Sequence, residues 1–229
     1  MTGLKKYAIF TPARTGSTLY ANLLSFYYTR YFNCTDTVYW QTRNHDYSPD
    51  SLILHLHSLK TFANLEANYV KILTTRSILD SVVSLMIAEL TGHWHLTRPS
   101  DKRDYKQRYQ YHLWRLDPEV FREQCLTFDK KYSQANRTFK DFTGEKYTLE
   151  YNIHAEDLSK FSPAVGIDYT INSDINGFPI DASTKCLDKF QLVANLQELL
   201  NIYQSLNLSH NYHDEITIHK VEKIIYSRR

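Results

Sequence analysis

Tyr7 to Phe10 is an apolar run of strand length, and the turn-rich, polar stretch Thr11-Pro12-Ala13-Arg14-Thr15-Gly16-Ser17-Thr18 follows it. Leu19, Leu23, Leu24, Tyr27 and Tyr28 then recur at helical spacing, which predicts strand, loop and helix in that order. Leu52 to His57 and Tyr69 to Leu73 read as two further strands, joined by a connection with room for little beyond one helix. The clearest helix runs from Ser77 to Leu90. Ser77 and Asp80 resemble a capping box, Ile78, Leu79, Val82, Val83, Met86, Ile87 and Leu90 supply a broad apolar face, and Gly92 sits just past the end. Asp117-Pro118 opens another helix, carried by Phe121, Cys125, Phe128 and Tyr132. Tyr147 to Ile153 reads as a strand, and Leu187 to Leu206 as an amphipathic helix. Strands alternating with helices predict a three-layer α/β fold, with a mostly parallel central sheet flanked by helices and ligands at the carboxyl ends of its strands.

Composition narrows this picture. With 229 residues, 42% hydrophobic and 23% charged, the chain is an ordinary globular protein long enough to bury a core. Six glycines and six prolines leave little material for a linker, so one domain over residues 1–229 is expected. The 27 basic and 25 acidic residues nearly cancel, which argues against nucleic acid as a partner and makes any anion site local. Neither a signal peptide nor a membrane-length apolar stretch is readable, so no membrane partner and a cytoplasmic location are expected. Cys34, Cys125 and Cys186 are too scattered for a disulfide framework or a metal clip and read as buried free thiols. The 18 tyrosines follow no repeat and read as packing and groove lining.

The loop between the first strand and the first helix presents backbone N–H groups at a helix start, where an anion fits. Measured against the ATP-binding pattern Gly-x-x-x-x-Gly-Lys-Ser/Thr, it has Thr11 in the first glycine's place, retains Gly16, and has Ser17 where the lysine belongs, before Thr18. That lysine would reach the β and γ phosphates, so its absence weakens a triphosphate reading. Arg14 supplies a cation before the glycine instead, and a guanidinium suits a tetrahedral oxyanion. A second anion site is suggested at Thr74-Thr75-Arg76, with Ser84 eight residues beyond the arginine on the inward face of the following helix.

In these two segments the chain resembles the sulfotransferases that use 3′-phosphoadenosine 5′-phosphosulfate. Thr11 to Leu19 is similar to that family's 5′-phosphosulfate loop, and Val70-Lys71-Ile72-Leu73-Thr74-Thr75-Arg76 with Ser84 to its 3′-phosphate strand, loop and helix. The likeness covers roughly residues 5 to 92, with weaker echoes at Leu149 to Leu158, ending Glu156-Asp157-Leu158, and at Thr184-Lys185 to Leu199, where the glycine-rich form is absent. It implies a P-loop NTPase-like fold and transfer of a sulfuryl group to a hydroxyl or amine, without a metal. Arg14 would clamp the bridging oxygen, Thr15, Gly16, Ser17 and Thr18 would hold the 5′-phosphate and the sulfuryl group, and Arg76 and Ser84 the 3′-phosphate.

Many members of the family end the strand before the 3′-phosphate motif in Lys-x-His, and the matching run here is His55-Leu56-His57. His57 is therefore the candidate base, with His55 in the lysine's place and both imidazoles on one side of the strand. Asp46, next to His45, is a reserve candidate. The expected acceptor is a small molecule or saccharide, without a choice among them. The basic, aromatic stretch His93 to Trp114 suits an anionic saccharide or a flat phenol, or else a solvated helix face with aromatic packing beneath it. Two other readings stay open, a catalytically silent nucleotide-binding module and a P-loop kinase or NTPase with a degenerate loop. The sequence leaves oligomeric state open.

Overall fold

The computed structural model describes residues 4–10, 12, 17–34, 38–40, 51–66, 68–93, 99–151, 188–212 and 214–228. These fall into two compact units, one within Met1–Thr75 and Tyr132–Phe178, the other within Arg76–Lys131 and Pro179–Arg229.

The first unit holds an α/β sheet of five strands in the order β2-β3-β1-β4-β5. The strands are β1 (Lys6–Phe10), β2 (Val38–Trp40), β3 (Ile53–Leu56), β4 (Tyr69–Thr75) and β5 (Lys146–Glu150), and every neighbouring pair is parallel. Parallel strands need crossovers, and helices α1 (Ser17–Phe32) and α2 (Leu59–Ala63) supply those between β1 and β2 and between β3 and β4. Both faces of the sheet are covered. Tyr7, Ile9, Ile53, Val70 and Ile72 pack with Tyr20, Leu23, Leu24 and Tyr27 of α1, while Ala8, Phe10, Leu54, Leu56 and Leu73 pack on the other face with Phe62 of α2, Ala135 and Phe139. This explains why β3 and β4 read as near-continuous apolar runs rather than as alternation.

Three boundaries differ from the sequence reading. β4 continues through Thr74 and Thr75 because both pair with β5, opposite Leu149 and Glu150, and β-branched threonines fit a strand. β3 spans only Ile53 to Leu56, and β5 ends at Glu150, where Tyr151 turns away after donating its N–H to the Thr75 carbonyl at 2.8 Å. The edge strand β2 is too short to leave a pattern.

The second unit is helical and contains α3 (Ile78–Thr91), α4 (Pro99–Tyr109) and the beginning of α5 (Pro118–Asp141), a helix whose last turns belong to the first unit. A 3-10 turn (Lys189–Leu192), α6 (Leu196–Ser205) and α7 (Asp214–Ser227) complete it. Ser77 caps α3 by accepting from the Asp80 N–H, and Gly92 ends it at φ 71°, a left-handed conformation that suits glycine. Asp117 caps α5, accepting from the N–H groups of Glu119 at 2.9 Å and Val120 at 3.1 Å. Phe121, Cys125, Phe128 and Tyr132 are buried along α5, as its pattern predicts.

The single helix expected from Leu187 to Leu206 is instead the 3-10 turn, a break, and α6. Val193 is extended because it bridges to Trp114, and Asn195 turns its amide to Leu116, accepting from its N–H at 3.0 Å and donating to its carbonyl at 2.9 Å. Among the described residues no helix is long and apolar enough to cross a membrane. Cys125 is buried, which pushes its thiol up to about 12, whereas Cys34 is only half-buried. Cys186 lies outside the described residues.

Candidate functional site

β1 lies at the centre of the sheet with β3 on one side and β4 on the other, and Phe10 stands opposite both Leu56 and Leu73. The chain therefore leaves these three adjacent strands at one carboxyl edge, β1 toward the segment before α1, β3 toward His57 and β4 toward Arg76. Ligands gather at such an edge where strand order reverses, as it does about β1. Thr74 ties the edge together by donating Oγ1 to the Phe10 carbonyl at 3.4 Å.

Of the residues assigned to the first anion loop, Arg14, Thr15 and Gly16 lie outside the described residues, as does the side chain of Ser17. Pro12 is buried, α1 begins at Ser17, and Thr18 is half-buried on its first turn. No acidic residue stands in that turn to neutralise the positive end of the helix dipole.

His55 and His57 point to the same side of their strand, as alternation requires, and their rings meet edge to face with centroids 4.7 Å apart. His55 is 4% exposed, packed into the sheet, whereas His57 is exposed just past its end. Of the two, only His57 stands where a solute can reach it. Asp46 and His45 lie outside the described residues.

In the second unit, Arg76 stands just before the Ser77 cap of α3, and the spacing of four places Asp80 and Ser84 on the same side of that helix. Arg76 Nε pairs with Asp80 Oδ2, and Lys189 Nζ lies 2.5 Å from Oδ1. Ser84 is buried. Burial alone would raise the Asp80 carboxyl; the Lys189 and Arg76 charges and hydrogen bonds overcome it and hold the group well below the ordinary carboxylate range. Burial, then repulsion from Arg76, lowers Lys189 to about 7 against the pull of Asp80.

Sequence reasoning assigned Asp80 to capping and missed it as a partner of Arg76, which stands just before the cap of the same helix. It missed Lys189 altogether.

A further buried amine belongs to β4. Lys71 is 2% exposed, donates to the Ala63 carbonyl at 3.3 Å, and lies between the rings of Phe142 and Phe62, at 4.1 and 5.2 Å from their centroids. Burial lowers its pKa. The amine closes the last turn of α2 and sits among apolar groups.

The His93 to Trp114 stretch resolves into α4 and an aromatic group behind it. Tyr109 touches His93, Tyr105, His112 and Trp114, and the rings of His112 and Trp114 stack. Arg103, Lys106 and Arg108 are exposed on α4. The helix is thus solvated on its basic side, with aromatic packing around Tyr109. Trp94, His95 and Arg98, like Glu156-Asp157-Leu158 and Thr184-Lys185, lie outside the described residues. Among the described residues no group of three or more His, Cys, Asp or Glu is arranged to hold a metal ion.

Comparison with protein-family models, with curated proteins and with solved structures finds no match for this chain.

Proposed function

We propose that the protein is a P-loop-type sulfotransferase, moving a sulfuryl group from 3′-phosphoadenosine 5′-phosphosulfate to a hydroxyl or amine of a small-molecule or saccharide acceptor in the cytoplasm. One placement supports this most. The central strand of a parallel sheet leads toward the segment that carries Arg14, Thr15 and Gly16 and then α1 from Ser17, and the residues that follow its two neighbours are His57 and Arg76.

In this reading His57 takes the acceptor proton as the acceptor oxygen or nitrogen attacks sulfur. The S–O bond to the 5′-phosphate breaks, and its electron pair leaves on adenosine 3′,5′-bisphosphate. Arg14 neutralises the bridging oxygen as charge grows there, and N–H groups at the start of α1 hold the equatorial oxygens. Arg76 and Ser84 hold the 3′-phosphate, the group that distinguishes this donor from ATP. The departing charge is taken up by guanidinium and N–H donors, so the scheme calls for no metal.

The test is transfer of label from a sulfuryl-labelled donor to an acceptor panel. Arg14→Ala is expected to lower transfer by about 10²-fold or more, the scale of losing one transition-state donor. Bisphosphate binding with no transfer to any acceptor and no donor hydrolysis would show a silent binding module instead.

A further inference from the structure

The turn between α4 and α5 brings three rings together at the surface. The centroids of Tyr109, His112 and Trp114 lie 5.3 to 5.6 Å apart in every pair, with His112 exposed and the other two half-buried. Tyr105 is buried and supports them from within, its ring centroid 4.9 Å from that of Tyr109.

The rings are held in place before any ligand arrives. Trp114 bridges to Val193, its N–H donating to the Leu192 carbonyl at 2.7 Å and its carbonyl accepting from the Ala194 N–H at 2.8 Å. His112 donates its N–H to the Tyr109 carbonyl at 2.9 Å, which closes the turn. A surface fixed in this way loses little freedom on binding.

Its polar groups are uncommitted. Among the described residues no hydrogen bond engages the Tyr109 hydroxyl, the His112 imidazole or the Trp114 indole N–H. The Arg108 guanidinium lies 6.0 Å from the Tyr109 centroid, and neither it nor the exposed Arg103 and Lys106 has a carboxylate partner among the described residues. Against these three cations, Asp104 is the one acidic side chain described on α4. Arg115, by contrast, is taken up by Glu198 at 2.8 Å.

We infer that this surface binds a uronic-acid saccharide, with one pyranose laying its C–H face on the rings while its carboxylate meets Arg108. The inference stands apart from the sulfotransferase reading, because it uses no residue assigned to the donor or to proton transfer. A sugar ring has an apolar face and a rim of hydroxyls, and these side chains offer the matching pair, apolar faces with hydrogen-bonding edges. A planar carboxylate suits the guanidinium fork. Because His112 stands in the open, hydroxyls on the far side of the sugar stay in water and escape the cost of burial without partners. A flat aryl ligand instead gains most in a pocket that encloses it. A nucleic-acid strand is met by successive stacking platforms along a basic groove, whereas these rings form one cluster in a chain whose charges nearly cancel.

Calorimetric titration of the full chain with an oligogalacturonate, a maltooligosaccharide of equal length, an oligothymidylate and naphthalenesulfonate tests this. The oligogalacturonate is expected to bind most tightly. His112→Ala and Trp114→Ala should each weaken both sugars by about threefold to tenfold, the scale of one aromatic contact. Arg108→Gln should weaken the acidic sugar alone and flatten its salt dependence.

No binding of the oligogalacturonate by the wild type, or affinity unaltered in both ring variants, overturns the inference. Tighter binding of the oligothymidylate or of naphthalenesulfonate overturns it in favour of a nucleic-acid strand or a flat aryl anion. Should Trp114→Ala not fold, His112→Ala decides, because that side chain is exposed and its loss leaves the core intact.

Discussion

The imidazole of His55 meets that of His57 edge to face, with ring centroids 4.7 Å apart, the first enclosed by the sheet and the second open to solvent. A general base must reach its acceptor, and of this pair only His57 can. His57→Ala is therefore expected to lower turnover by about 10²- to 10⁴-fold, the range of a lost general base, while bisphosphate affinity is unaltered. His55→Phe keeps an aromatic edge against His57 and should retain most of the turnover. Steady-state rates for both variants check this, and the reverse ranking would make His55 the base.

Asp80 should add to the acid sensitivity of the second unit. A carboxyl held below its ordinary value of 3.8 adds stability at pH above that value, and the contribution is lost as pH falls through its folded-state pKa. Melting temperature should thus drop below about pH 4. Asp80→Asn should be less stable at neutral pH, because it leaves Arg76 and Lys189 facing each other, and should lose less on acidification. Tm measured from pH 2 to 7 tests both.

At the alkaline end, Tyr203 donates to Asp214 Oδ2 at 2.5 Å, and burial, then the Asp214 charge, raise the phenol well above its ordinary value of 10.0. The unfolded chain releases this proton near pH 10 while the folded one retains it, so stability falls as pH rises past about 10. Tyr7 and Tyr28 are raised for the same reason, chiefly burial. Tyr203→Phe should lose part of the alkaline decline in a Tm titration; an unchanged slope would show that Tyr203 does not drive it.

The cap of α5 offers a local test. Asp117 satisfies two first-turn N–H groups, so Asp117→Ala should cost about 1 kcal/mol in urea unfolding, within the usual range for an N-cap. Ile72, fully buried in β4, should cost about 2–5 kcal/mol on substitution by Ala.

These sites also show what the chain makes legible. The cap and apolar face of α3 are local, so Ser77, Ile78 to Ile87 and Gly92 announce the helix. β1 and β3 were readable as apolar runs because helices cover both faces of the sheet. Local pattern could not reveal the break at Val193, which depends on pairing with Trp114, nor the ion pair of Lys189 with Asp80, whose partners lie far apart in the chain. The end of β4 was misplaced for the same reason, since Thr74 and Thr75 look like turn residues until β5 lies beside them. The site followed suit. Arg76, Ser84 and the histidine pair came from motif spacing, whereas the Lys189–Asp80 contact came only from the folded chain.

The most direct test is calorimetric titration of the full chain with adenosine 3′,5′-bisphosphate in the absence of metal, alongside ATP with Mg²⁺. The sulfotransferase reading predicts tighter binding of the bisphosphate, weakened by Arg14→Ala and by Arg76→Ala. Tighter binding of ATP with Mg²⁺, or bisphosphate affinity unaltered in both variants, would contradict it.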